Sequence, residues 1–179
     1  NGNTANGQDW QRRATVSLIG GFGEIRLGRD YTPDFWNHTV FDPFGTNGVG
    51  ASTNLFGGVN AGSGSTPAPA GSPAGTPATP WPSATTIVRA NNSVGYFLPG
   101  GLGGVYGQVM LAAGENTVGN KHTGFRVGYA AGPINVALAY GKTDVGGPPD
   151  VTWTRINLGG SYNLGFMTVM AQYIMAEVE

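Results

Sequence analysis

From residue 86 onward the chain alternates apolar and polar residues with a period of two, the signature of strands with one apolar face. In residues 86–98, Val88, Ala90, Val94, Tyr96 and Leu98 share one face, and Arg89, Asn91, Ser93 and Gly95 share the other. The same alternation predicts strands over 104–112, 123–131, 134–140, 152–162 and 166–176, with Gln108, Arg126, Asn135, Arg155 and Asn157 on the polar side. Two earlier strands are expected at 10–18 and 23–31. In the second, Ile25 and Leu27 oppose Glu24, Arg26 and Asp30. Between these two groups, residues 28–50 do not alternate. They carry Pro33, Pro43 and several glycines, so they form neither a regular strand nor a long helix. Yet Phe35, Trp36, Val40, Phe41 and Phe44 are too apolar for a loop in water. A long aromatic connection of this kind is expected to pack against something and to be functional.

The eight expected strands are near the ten-residue length that a tilted membrane strand needs. Short turns follow Leu18, Leu98, Tyr129 and Tyr162, and longer loops follow Tyr31, Ala112, Tyr140 and Ala176. Short turns at one rim and long loops at the other, with tyrosine and phenylalanine at strand ends, fit a transmembrane β-barrel. A soluble β-sandwich adhesin or sugar-binding module is the alternative. It ordinarily carries more charge on its outer faces.

Composition strengthens the membrane reading. Only 11% of the 179 residues are charged, 32 are glycine, and the formal net charge is -1. No basic stripe exists to neutralise phosphates, which argues against nucleic acid. The chain has no cysteine, so disulfides, thiol catalysis and iron–sulfur clusters are excluded. Residues 57–84 hold six of the 12 prolines and no charge, and read as a low-complexity surface insertion within one domain of residues 1–179. The chain begins at Asn1 and ends directly after a strand-like run, so it reads as an internal piece of a longer protein.

Several stretches carry a family resemblance: Arg12-Arg13-Ala14-Thr15-Val16-Ser17-Leu18, Gly28-Arg29-Asp30-Tyr31-Thr32-Pro33, Phe41-Asp42-Pro43-Phe44-Gly45-Thr46-Asn47-Gly48 and Ser93-Val94-Gly95-Tyr96-Phe97-Leu98-Pro99. The sequence resembles the trimeric general porins of Gram-negative outer membranes, of the betaproteobacterial type. The resemblance implies an all-β, 16-stranded antiparallel barrel, of which about eight strands are present here as an open half-barrel. Residues 32–56 would be the loop that folds inward and makes the constriction. An eight-stranded closed barrel is too narrow to hold such a loop. Implied partners are outer-membrane lipid, small hydrophilic solutes and ions, and two further copies in a homotrimer. No cofactor and no catalysis are expected.

Such a pore selects by width and by the field of its lining charges. The resemblance implies basic wall residues facing acids of the inward loop. Arg89 maps onto one wall arginine, and alternation puts it on the polar face. The family match favours Arg12 as a second, whereas alternation turns Arg13 inward. Arg12 is preferred because strands before the loop lie at the subunit contact, where outward faces need not be apolar. Alternation also directs Arg26, Arg126 and Arg155 inward, although the resemblance assigns the last two no constriction role. Arg29 resembles an arginine that braces subunit contacts. Asp34 and Asp42 are the loop acids. Few acids against several arginines predict an anion preference. A substrate-specific channel remains the alternative. His38 and His122 are poorly accompanied for a metal site, and Asp30 with Asp34 fall short of a calcium site.

Overall fold

A computed structural model describes residues 13–52, 88–114, 121–144 and 152–178. The expected strand start at 10–12, the last four residues of the 32–56 loop and the 57–84 insertion lie outside the described residues.

Among the described residues, eight strands form one sheet in sequential order, every neighbouring pair antiparallel. They are β1 (Ala14–Gly20), β2 (Gly23–Tyr31), β3 (Arg89–Phe97), β4 (Val105–Ala112), β5 (His122–Ala131), β6 (Ile134–Asp144), β7 (Thr152–Asn163) and β8 (Thr168–Val178). The sheet is open at β1 and β8 and is not two packed layers, so the sandwich alternative is set aside. Gly21 with Phe22, Gly132 with Pro133, and residues 98–104 and 164–167 connect strands at one rim; the longer connections stand at the other.

Register fixes the two faces. Because directly paired residues share a face, Leu27 with Val94, Val109 with Phe125, Val127 with Leu138, and Leu158 with Tyr173 build one continuous apolar surface. These side chains are solvent-accessible in the isolated chain, as a lipid-facing wall requires. Arg29, Lys142 and Glu177 share this phase only near the long-loop rim. A charge at bilayer mid-depth costs about 2–4 kcal/mol for Arg or Lys, which explains their confinement there.

The other face is small and polar: Ala137, Ala139, Gly141, Asn157 and Gly159 lie there. On it sits α1 (Pro33–Val40), the one α-helix among the described residues, with contacts to β4, β5, β6 and β7. The inward-folded loop is thus observed, and part of it is helical. Pro33 occupies the first turn, where a missing N–H costs nothing. Thr32 precedes it in extended conformation and accepts from the Trp36 N–H through its carbonyl. Pro43 follows two residues after the last helical turn ends at Phe41 and biases Asp42 away from helix.

One face assignment is corrected. Along β3 the buried residues are Ala90, Ser93 and Gly95, not a strict alternation through Arg89 and Asn91. Asn92 has φ +49° and adds one residue to β3 between the Gly28–Ser93 and Asp30–Ala90 pairs. This bulge reverses the phase. Ala90, not Arg89, takes the inward position opposite Asp30.

Candidate functional site

The helix is seated in a trough of missing side chains. A Cβ on Gly141 would come within 2.5 Å of the Asp34 carboxylate, and one on Gly159 within 2.1 Å of the Phe41 ring. A Cβ on Gly124 would stand 3.4 Å from Pro33. Gly141 and Gly159, on neighbouring strands, therefore let the helix and its C-terminal end approach the wall at backbone distance, and Gly124 beside them meets Pro33 in ordinary contact.

Polar groups then lock it. Arg155 of β7 donates from Nε to Asp34 Oδ2 at 2.7 Å, and its Nη2 reaches the same oxygen. His122 Nε2 stands 3.7 Å from the other oxygen, and Thr143 Oγ1 lies 2.8 Å from His122 Nδ1. Asn37 accepts from Arg126 Nε at 2.8 Å and donates to Asn157 Oδ1 at 2.8 Å. Asp34, Asn37, His122 and Asn157 are all buried. Burial alone would raise the Asp34 pKa. The charges of Arg155 and His122, with hydrogen bonds from Arg155 and Thr32, outweigh it and hold the carboxyl below the ordinary value.

The far end of the loop is tied by Asp42. Its oxygens accept from the Phe44, Thr46 and Ser52 N–H groups at 2.9, 3.2 and 2.9 Å, and from Ser52 Oγ at 2.6 Å. Those bonds overcome burial and depress its pKa. Ser52 also meets His38 Nε2 and accepts from Gln172 of β8. Burial, with repulsion from Arg155, pushes His38 down to about 4 against the pull of Asp42 and Asp34.

Of the aromatic loop residues expected to pack, Phe41 and Phe35 are buried. Trp36 is 40% exposed and Phe44 59%, although Phe44 lies against Gly50. Phe35 stacks on Tyr31 at 5.6 Å, and Trp36 lies 5.7 Å from the same ring.

Beside the helix an open cleft of about 400 Å³ runs along the inner wall. Its charged lining is Arg13, Arg26, Arg126 and Asp30. Asp30 pairs with Arg13 at 3.1 Å and with Arg26 at 2.6 Å, and Arg26 also reaches Glu24 at 2.8 Å. Arg26 lies 4.1 Å over the Phe97 ring, and Arg126 lies 4.7 Å over Tyr106.

The expected constriction set is therefore rearranged. Arg26 lines the cleft. Arg12 is outside the described residues, while Arg13 faces Asp30, as strand alternation implies. Arg89 is not on the cleft wall; it lies over the Tyr31 ring at 4.7 Å and donates to its hydroxyl at 3.1 Å. Asp34 and Asp42 are corrected too, because both are consumed by bonds inside the loop and wall rather than presented to the cleft. Arg126 and Asp30 line the cleft. Alternation gave the inward direction of both, but nothing in the sequence shows that a glycine trough would put α1 next to Arg126. Arg29 bonds Asn91 on the outward phase.

A two-faced meander, an infolded loop and an arginine-lined wall are the attributes of an outer-membrane channel. The family model of Gram-negative porins matches residues 1–179. The chain belongs to the Gram-negative porin family. Its setting is the outer membrane. It is 34% identical over 169 residues to outer membrane porin protein 32 of Delftia acidovorans, covering 90% of this chain and 42% of that protein. The solved anion-selective porin from Comamonas acidovorans superimposes with a TM-score of 0.75 at 28% identity, over 96% of this chain and 48% of that one. The trimer form of OmpT from Vibrio cholerae gives a TM-score of 0.62 at 15% identity, over 97% and 49%, which speaks to the fold. The porin chain thus spans less than half the length of these relatives.

Proposed function

We propose that this chain supplies half the wall and the constriction of a passive diffusion pore for small hydrophilic solutes, with a preference for anions and no catalytic step. The cleft carries the reading: three guanidinium groups face it against one carboxylate. Because Asp34 is paired with Arg155 and Asp42 is held by neutral donors away from the cleft, the lumen beside α1 is positive although the whole chain has a formal net charge of -1. Arginine suits this role because it stays ionised and its planar head is weakly hydrated. The similarity to a porin described as anion-selective supports the sign. Assembly as a homotrimer is part of the proposal, with Arg29 near the long-loop end of β2, on the face that a neighbouring subunit would meet. The test is the reversal potential of single channels of the complete protein in a potassium chloride gradient. A chloride-favouring sign is expected, and a potassium-favouring sign would refute the reading.

A further inference from the structure

The cleft holds more structure than a general filter needs. Asp30 serves both Arg13 and Arg26, so these two charges are partly answered within the wall. Arg126 is not. It is 8% exposed, yet its bonding partners are neutral: the Asn37 amide oxygen at 2.8 Å and the Tyr106 hydroxyl at 3.2 Å. Among the described residues no carboxylate pairs with it. A nearly buried guanidinium with neutral partners is a standing site for an anion, and its fork matches a carboxylate.

The surfaces around that charge are flat and aromatic. Arg126 lies on Tyr106 and Arg26 on Phe97, so each guanidinium plane is backed by a ring. The loop contributes Trp36 to the same cleft, 40% exposed and held beside Tyr31 at 5.7 Å. Trp36 is a large apolar surface left accessible in a polar lumen. Water gains nothing from it, whereas a planar ring gains stacking and loses apolar contact with water.

We propose that this cleft is a recognition step for aromatic carboxylates, with the carboxylate on Arg126 and the ring against Trp36. It deepens the proposed function and rests on that reading. A phosphate would be served less well, because its two charges would meet one unmatched guanidinium and its tightly held water would be stripped against aromatic walls.

The experiment uses the complete protein in planar lipid bilayers carrying chloride, with benzoate, cyclohexanecarboxylate or inorganic phosphate added on one side. Benzoate is expected to block the chloride current saturably, at a half-blocking concentration roughly threefold to tenfold below that of cyclohexanecarboxylate, the range expected of a stacking contact. Trp36→Leu should erase that difference and Trp36→Phe should keep part of it. Arg126→Gln should weaken block by both carboxylates. Equal block by the two carboxylates, phosphate acting more strongly than benzoate, or a ring preference that survives Trp36→Leu would overturn the site. Reversal potentials on the same channels keep the two readings apart: an anion-preferring channel indifferent to benzoate removes this site alone, whereas a cation-preferring one removes both.

Discussion

Asp34 of the loop helix and Arg155 of β7 form a buried ion pair between residues 121 positions apart in sequence, with side chains 3% and 4% exposed. The pair clamps the infolded loop to the wall. Removing one partner strands a charge beneath the helix, which typically costs about 3–5 kcal/mol. Arg155→Met alone should therefore lower the urea midpoint of the complete protein in lipid vesicles and make channel currents noisier as the loop loosens. Asp34→Leu combined with Arg155→Met should recover much of the loss, because neither charge is then buried. A double variant as unstable as the two single losses summed would show that the pair is not acting as a unit.

The glycine trough makes a second, steric prediction. Gly159 leaves room that the Phe41 ring fills, so Gly159→Ala must displace either the ring or β7. Overpacking of this kind costs about 1–3 kcal/mol. Phe41→Leu beside it should cost less than the sum of the two separate changes, since the smaller side chain vacates the contested space. Unfolding midpoints of the three variants measure this, and strict additivity would mean that the two residues do not compete for one site.

These relationships also show where reading the chain in order stops. Period-two alternation located the strands, their faces and the inward direction of Arg26, Arg126 and Arg155, because a half-lipid, half-water wall imposes that period on every strand. It misplaced Arg89 because one residue, Asn92 at φ +49°, inverts the phase locally; asparagine tolerates that conformation, but strict alternation takes no account of it. It assigned Asp34 and Asp42 to the lumen because a carboxylate in a loop looks alike whether it faces water or accepts four hydrogen bonds. Their true partners lie on β7 and in the loop's own backbone, contacts set by the trough depth rather than by local sequence.

Acid should loosen the loop at a particular residue. His38 is buried against Ser52 and has its pKa pushed down from 6.5 to about 4 by burial and by Arg155, with Asp34 and Asp42 pulling the other way. Below 6.5 the unfolded chain binds a proton that the folded loop refuses until about pH 4. The stabilising contribution is thus complete above 6.5 and is lost as pH falls through that window. His38→Asn should flatten the fall of the urea midpoint between pH 7.5 and 5. Identical pH dependence in the variant and the parent would show that His38 does not report this titration.

Asp30 is the restraint on the cleft's positive field. It holds Arg13 at 3.1 Å and Arg26 at 2.6 Å, so Asp30→Asn removes the shared counter-charge while keeping a similar shape and hydrogen-bonding capacity. Two guanidinium groups would then face the lumen with only Glu24 left beside Arg26. The expected result is a reversal potential shifted further toward that of chloride. The shift should be larger in dilute salt than near 1 M, where the screening length shrinks from about 10 Å at 0.1 M to about 3 Å. Arg13→Gln should move the potential in the opposite direction. If Asp30→Asn leaves selectivity unchanged at 0.1 M, the field that sorts ions arises elsewhere in the barrel, and the cleft beside α1 is a wall feature without a selective role.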